Sequence, residues 1–185
     1  MSGLSFIKNR LRNMKCYLSG AIDRVADNGV GWRKDITPFL KEKNILVFDP
    51  CDKPTLNNNE GLDFRAKKKE LRANKDWDGL KALMKPVRRI DLRMCDEASF
   101  LIVNLDMDIH PCGTYEEIFL ANRQRKPILI HCEQGKAEMP DWLFATIPHS
   151  LFFDTWFDLK EYLSCVDYGL INNDLDGRWV FWDFK

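Results

Sequence analysis

A Gly-Thr pair is followed three residues later by a glutamate in the stretch Cys112-Gly113-Thr114-Tyr115-Glu116-Glu117-Ile118. Before it lies Phe100-Leu101-Ile102-Val103-Asn104-Leu105-Asp106, which reads as a buried strand, and after it an amphipathic run ending near Arg123. A strand, a Gly-Thr turn and a glutamate in the first helical turn place a carboxylate beyond the carboxyl end of a sheet, where open α/β sheets bind ligands. The positive end of the helix favours the ionised form, and an ionised carboxylate facing a cleft is a candidate nucleophile. The same spacing, Thr114-x-x-Glu117, also reads as a capping box, in which both side chains serve backbone amides and no chemistry follows.

Other candidates converge if the surrounding elements are placed. Cys16-Tyr17-Leu18-Ser19-Gly20 reads as a first buried strand ending in a turn, Trp32 to Lys43 as an amphipathic helix, and Asn44 to Pro50 as a second strand. An irregular segment, Cys51 to Asp63, is long enough to suggest a lid. Phe64 to Ala98 reads as two helices interrupted by Gly79 and Pro86. Ser99 to Asp106 is the third strand, Gly113 to Arg125 a helix and Lys126 to Cys132 the fourth strand. Met139 to Thr146 reads as a short helix, Ser150 to Phe153 as a last strand and Thr155 to Val166 as an amphipathic helix. Strands alternating with helices imply an α/β fold, a flavodoxin-like, doubly wound, five-stranded parallel sheet sandwiched by helices. Connectivity then brings Tyr17, Asp91, Asp106, Asp108 and Glu117 toward one cleft.

Bulk properties narrow the function class. The 185 residues are 45 % hydrophobic and 30 % charged, which suits one globular domain. Lys+Arg and Asp+Glu both total 28, so no overall charge argues for nucleic acid or a membrane surface. Six cysteines show no C-x-x-C pair or metal-ligand spacing. No signal peptide is visible, and no apolar run approaches the about 18 residues of a membrane span. A reducing cytoplasm is the expected setting, and nothing calls for a metal or an organic cofactor. Residues 1–14 read as an N-terminal extension, 15–166 as the domain and 167–185 as a tail. The tail carries Trp179, Phe181, Trp182 and Phe184, aromatic surface expected to dock on the domain or a neighbouring subunit.

In order and spacing, Tyr17-Leu18-Ser19-Gly20, Asp91, Gly113-Thr114-x-x-Glu117 and Ala121-x4-Lys126-Pro127-Ile128 resemble the nucleoside 2-deoxyribosyltransferase family and the related 2'-deoxynucleoside 5'-phosphate N-hydrolases, over roughly Lys15 to Leu163. The resemblance implies that Glu117 attacks the anomeric carbon of deoxyribose, Asp91 assists departure of the base and Tyr17 orients the nucleophile. Elementary chemistry fits these roles. Breaking an N-glycosidic bond builds oxocarbenium character that a carboxylate stabilises, and a second carboxyl group manages the leaving group's proton. The implied partners are a nucleoside or nucleotide, a free nucleobase and further copies of the chain completing each pocket.

The sequence departs from the hydrolases where they hold the 5'-phosphate. The matching places carry Ala21, Asp23 and Pro111, and an aspartate repels phosphate. Arg24, Arg33, His110 and Lys67-Lys68-Lys69 are available substitutes, although a solvated basic helix face is the simpler reading of the lysines. Gly20, Asp23, Arg33, Asp106, Asp108, His110, Gly113 and Thr114 are the expected substrate contacts. His131-Cys132, with Glu138 where a phosphatase loop needs arginine, is rejected as a phosphatase site, though the loop after it is expected to line the cleft. Gly29-x-Gly31 lacks the later glycine of a dinucleotide fingerprint. The rival to an enzyme is a non-catalytic nucleotide-binding module in which Glu117 is a helix cap.

Overall fold

Three strands form continuous apolar runs and occupy the centre of the sheet. In β1 (Lys15–Gly20) residues 16–19 are buried, and all of β3 (Phe100–Leu105) and β4 (Ile128–Cys132) is buried. Such runs suit a parallel sheet covered on both faces. In the computed structural model, which describes residues 9–53, 62–171 and 177–181, these strands pair in parallel with β2 (Leu46–Phe48) and β5 (Phe152–Phe153). The order is β2-β1-β3-β4-β5. This is the doubly wound, flavodoxin-like sheet expected. The chain moves outward from β1 to β2 and returns to β3 on β1's other side, so the winding reverses between β1 and β3. The crevice beyond the strand ends there is the usual ligand site.

Strand alternation sorts the core into two layers. Cys16, Leu18, Phe100 and Ile102 pack with Ile36 and Leu40 of α1 (Val30–Glu42) and with Leu159 and Leu163 of α6 (Trp156–Tyr168). Tyr17, Leu101 and Val103 pack on the other face with Met94 and Cys95 of α3 (Trp77–Glu97) and Ile118 of α4 (Cys112–Arg123). Ser19 shares Tyr17's parity and therefore faces the α3–α4 layer.

The helix break before β3 falls elsewhere than expected. α2 (Leu62–Ala73) ends where Lys75 takes a left-handed conformation, φ 55°. α3 starts after Asp76, whose side chain accepts from the Gly79 amide at 2.8 Å. Gly79 therefore lies in the first turn of α3, where a Cβ would meet the Asp76 carboxylate at 2.4 Å. Pro86 rides within α3. Near the other edge, α5 (Asp141–Phe144) is shorter than expected, and residues 149–151 form a 3₁₀ turn before β5.

The described parts of the termini lie on this body. Leu11 is fully buried in the α1–α6 layer, and its amide donates to Asp167 Oδ1 at 3.1 Å. Trp179 lies 5.2 Å, ring to ring, from Phe100, and its Nε1 donates to the Tyr162 hydroxyl at 2.9 Å. Arg178 is buried and donates to Asn122 Oδ1 at 2.8 Å. Trp182 and Phe184 lie outside the described residues. Among the described residues, no helix is long and apolar enough to cross a membrane.

Candidate active site

Glu117 sits deeper than a cap. α4 begins at Cys112 after Pro111, and no side chain caps its N-terminus. Glu117 thus falls in the second turn, beyond the orphan amides of the first, and Thr114 is buried within the helix. The capping box expected from Thr114-x-x-Glu117 does not form. The Glu117 carboxylate instead spans to β1, where the Tyr17 hydroxyl donates to Oε1 at 2.8 Å and the Ser19 hydroxyl donates to Oε2.

That setting reverses the expected electrostatics. Burial pushes the Glu117 carboxyl from the ordinary 4.5 up to about 7; the Ser19 and Tyr17 hydrogen bonds oppose the rise, nearby Asp91 adds to it, and Arg33 opposes it. Desolvation outweighs the helix terminus, so Glu117 is balanced between its two protonation states near neutral pH. The Tyr17 phenol is pushed well above its usual range by burial first and then by the charges of Glu117 and Asp91, so it stays a proton donor.

Tyr17, Asp91 and Glu117 line one cleft of about 230 Å³ at the carboxyl end of the sheet. The turn after β1 contributes Gly20 and Asp23, and the start of α4 contributes Gly113 and Thr114 with His110 just ahead of it. Phe64, Met84 and Val87 give the α2–α3 side an apolar wall suited to a planar ring. Asp91, on that side, pairs with Lys53, whose Nζ lies 2.8 Å from Oδ1. Lys68 of α2 also lines the cleft and pairs with Asp23. The aspartate that argued against phosphate is thus matched by a cation. Lys68 is half-buried rather than solvated, while Lys67 and Lys69 stay exposed.

Three expected contacts are placed elsewhere. Arg33 is fully buried beneath the β1 turn, where its guanidinium donates to the carbonyls of Leu18, Gly20 and Gly29 and faces Asp49 at 3.5 Å. It holds the backbone and does not line the cleft. Asp106 lines a separate depression with Asp27, Asn104 and Glu133. Gln134 Nε2 donates to Asp106 Oδ1 at 2.8 Å and to Asp108 Oδ2 at 3.3 Å, tying both aspartates to the loop after β4. That loop borders the second depression through Glu133, and it does not line the main cleft as expected. His131 is a core residue, bonded to Asn104 Oδ1 at 2.8 Å and stacked on Trp156. Gly29 has φ 68°, and a Cβ there would meet the Ala21 carbonyl oxygen at 2.2 Å, so this glycine serves a backbone crossing.

Ser19 and Lys53 contribute to the site without having been singled out for it, and Lys68 was offered only as one of three lysines. Ser19 was accessible through its two-residue offset from Tyr17. Lys68 lay within a basic run with no mark to separate it from its neighbours. Nothing in the sequence around Lys53 signals its pairing with Asp91.

No family model matches the sequence, and no curated protein matches it. Among solved structures, the fold is similar to that of the 2-deoxyribosyltransferase from the psychrotolerant bacterium Bacillus psychrosaccharolyticus. That match has 15 % identity and a TM-score of 0.52, covering 80 % of this chain and 91 % of the other. It is also similar to the 2-deoxyribosyltransferase from Leishmania mexicana, with 17 % identity and a TM-score of 0.50, covering 81 % of this chain and 96 % of the other. At these identities the likeness is one of fold.

Proposed function

We propose that this chain cleaves the N-glycosidic bond of a 2'-deoxyribonucleoside, or of its 5'-monophosphate, through a deoxyribosyl ester on Glu117, and passes the sugar to a second nucleobase. The observation that carries the reading is the Glu117 carboxylate, held by two neutral hydroxyl donors in a cleft that it shares with Asp91. Tyr17 and Ser19 fix both carboxylate oxygens while adding no positive charge to quench the nucleophile. As the C1'–N bond lengthens, the sugar gains oxocarbenium character that the Glu117 anion stabilises. A Glu117 oxygen then bonds to C1', the bond's electron pair passes to the base nitrogen, and Asp91 conveys a proton to the departing base. In the second half the incoming base attacks C1', Glu117 departs as a carboxylate, and the surplus proton returns through Asp91. Water in place of the second base would make the reaction a hydrolysis.

The fold shared with two 2-deoxyribosyltransferases agrees with this chemistry. The rival binding module needed Glu117 as a cap, and α4 has no side-chain cap. The test is chromatography of each deoxynucleoside and deoxynucleoside monophosphate incubated with the protein, with and without a free base, beside Glu117→Ala. Release or exchange of base by the wild type alone is expected, and dependence on added base separates transfer from hydrolysis. Nucleotide binding with no turnover in any condition would overturn the proposal.

A further inference from the structure

Lys53 lies past the end of β2, only 5 % exposed, with its ammonium 2.8 Å from Asp91 Oδ1. The Lys53 side chain is 2 % exposed and that of Asp91 17 %, so the carboxylate keeps a face to the cleft while the ammonium is behind it. A buried ion pair is a poor device for stability, because removing two charges from water cancels most of their attraction. Its position suggests another use. An aspartate beside an ammonium is an anion with no proton of its own to give, yet a departing base needs one.

We propose, resting on the reading above, that Lys53 is a positioning residue that supplies this proton through Asp91. As the C1'–N electron pair moves onto the base, Asp91 hands over a proton that it draws from Lys53 Nζ. The base leaves neutral, Asp91 is again a carboxylate, Lys53 is a neutral amine, and the sugar is esterified to Glu117. The acceptor's ring N–H proton then returns through Asp91 to Lys53, restoring the ion pair. Glu117 from α4 and Tyr17 from β1 feel the Asp91 charge, and Asp23 from the β1 turn and Lys68 from α2 line the same cleft as Asp91.

The test is kcat and KM against pH for wild type, Lys53→Met and Lys53→Arg, on whichever deoxynucleoside the wild type turns over fastest. Arginine keeps the charge but gives up no proton in the working range. The wild-type kcat is expected to fall on the alkaline side, as Lys53 empties. Both variants are expected to lose roughly 10²- to 10⁴-fold in kcat with little change in KM, and to lose that alkaline limb. A variant in which Lys53 served only packing would lower the whole profile and leave its shape intact, and that result overturns the proposal. So does an Arg variant with near-wild-type kcat. If both variants fail to fold, the wild-type profile decides, since a rate that does not fall at alkaline pH excludes Lys53 as the donor. A wild type that releases no base sinks the glycosyl-transfer reading itself, whereas release with unaltered profiles sinks only the role of Lys53.

Discussion

The two sides of the cleft hold the same functional group in opposite surroundings. On the β1–α4 side, Glu117 is met by two hydroxyls, and burial raises its carboxyl to about 7. On the α3 side, Asp91 is met by the ammonium of a nearly enclosed lysine. Neutral donors orient a carboxylate and leave its charge available for attack on carbon. An ammonium holds a carboxylate as an anion, which on the proposed reading relays a proton to the base. Environment, more than residue type, divides the labour between two such groups.

The largest expected effect removes one side altogether. Glu117→Ala should lower base release by on the order of 10⁴-fold or more, as loss of a nucleophile does, measured by chromatography. Comparable loss from Ser19→Ala alone would mean the nucleophile had been misassigned. Next, Asp91→Asn should cost roughly 10²- to 10⁴-fold in kcat. If it costs less than Tyr17→Phe, the contrast between the two sides fails.

A stability measurement tests the same contrast from the folded state. The Glu117 carboxyl is raised from 4.5 to about 7. Its stabilising contribution is therefore complete below about pH 4.5 and is lost as pH rises through 7, at a cost of roughly 3 kcal/mol. Glu117→Gln should match the wild type in urea unfolding at pH 4 and exceed it at pH 8. Equal midpoints at both values would show that the carboxyl is not raised. The same titration predicts that wild-type kcat/KM rises with pH through about 7, because the attacking form is the anion. The smallest effect is expected for Tyr17→Phe, roughly 10-fold in kcat, the size of one hydrogen bond to a charged group. It should also shift the acidic limb upward, since the lost bond had favoured the anion.

Strand periodicity made most of the fold legible, because β1, β3 and β4 are buried on both faces and their apolar runs admit few other readings. That Tyr17, Asp91 and Glu117 line one cleft was legible from their order along the chain. Electrostatic detail was not. A helix capped by Thr114 would place Glu117 at its third position, in the favourable first turn, but the observed start at Cys112 moves it into a desolvated second turn. Arg33 shows the complementary failure. An arginine in an amphipathic helix reads as a ligand contact, and nothing local reveals that three carbonyls are waiting for it. The Lys53–Asp91 pair joins residues far apart in the chain, a distance that periodicity does not reach.

Arg33 carries a thermodynamic consequence for recognition. By binding the last carbonyls of β1 and the first turn of α1 together, it completes the ordering of this margin of the cleft when the chain folds. A ligand arriving there meets a prebuilt wall and has no backbone entropy to remove on that side. Amide exchange at Leu18 to Gly20 should be equally slow in the free and occupied protein.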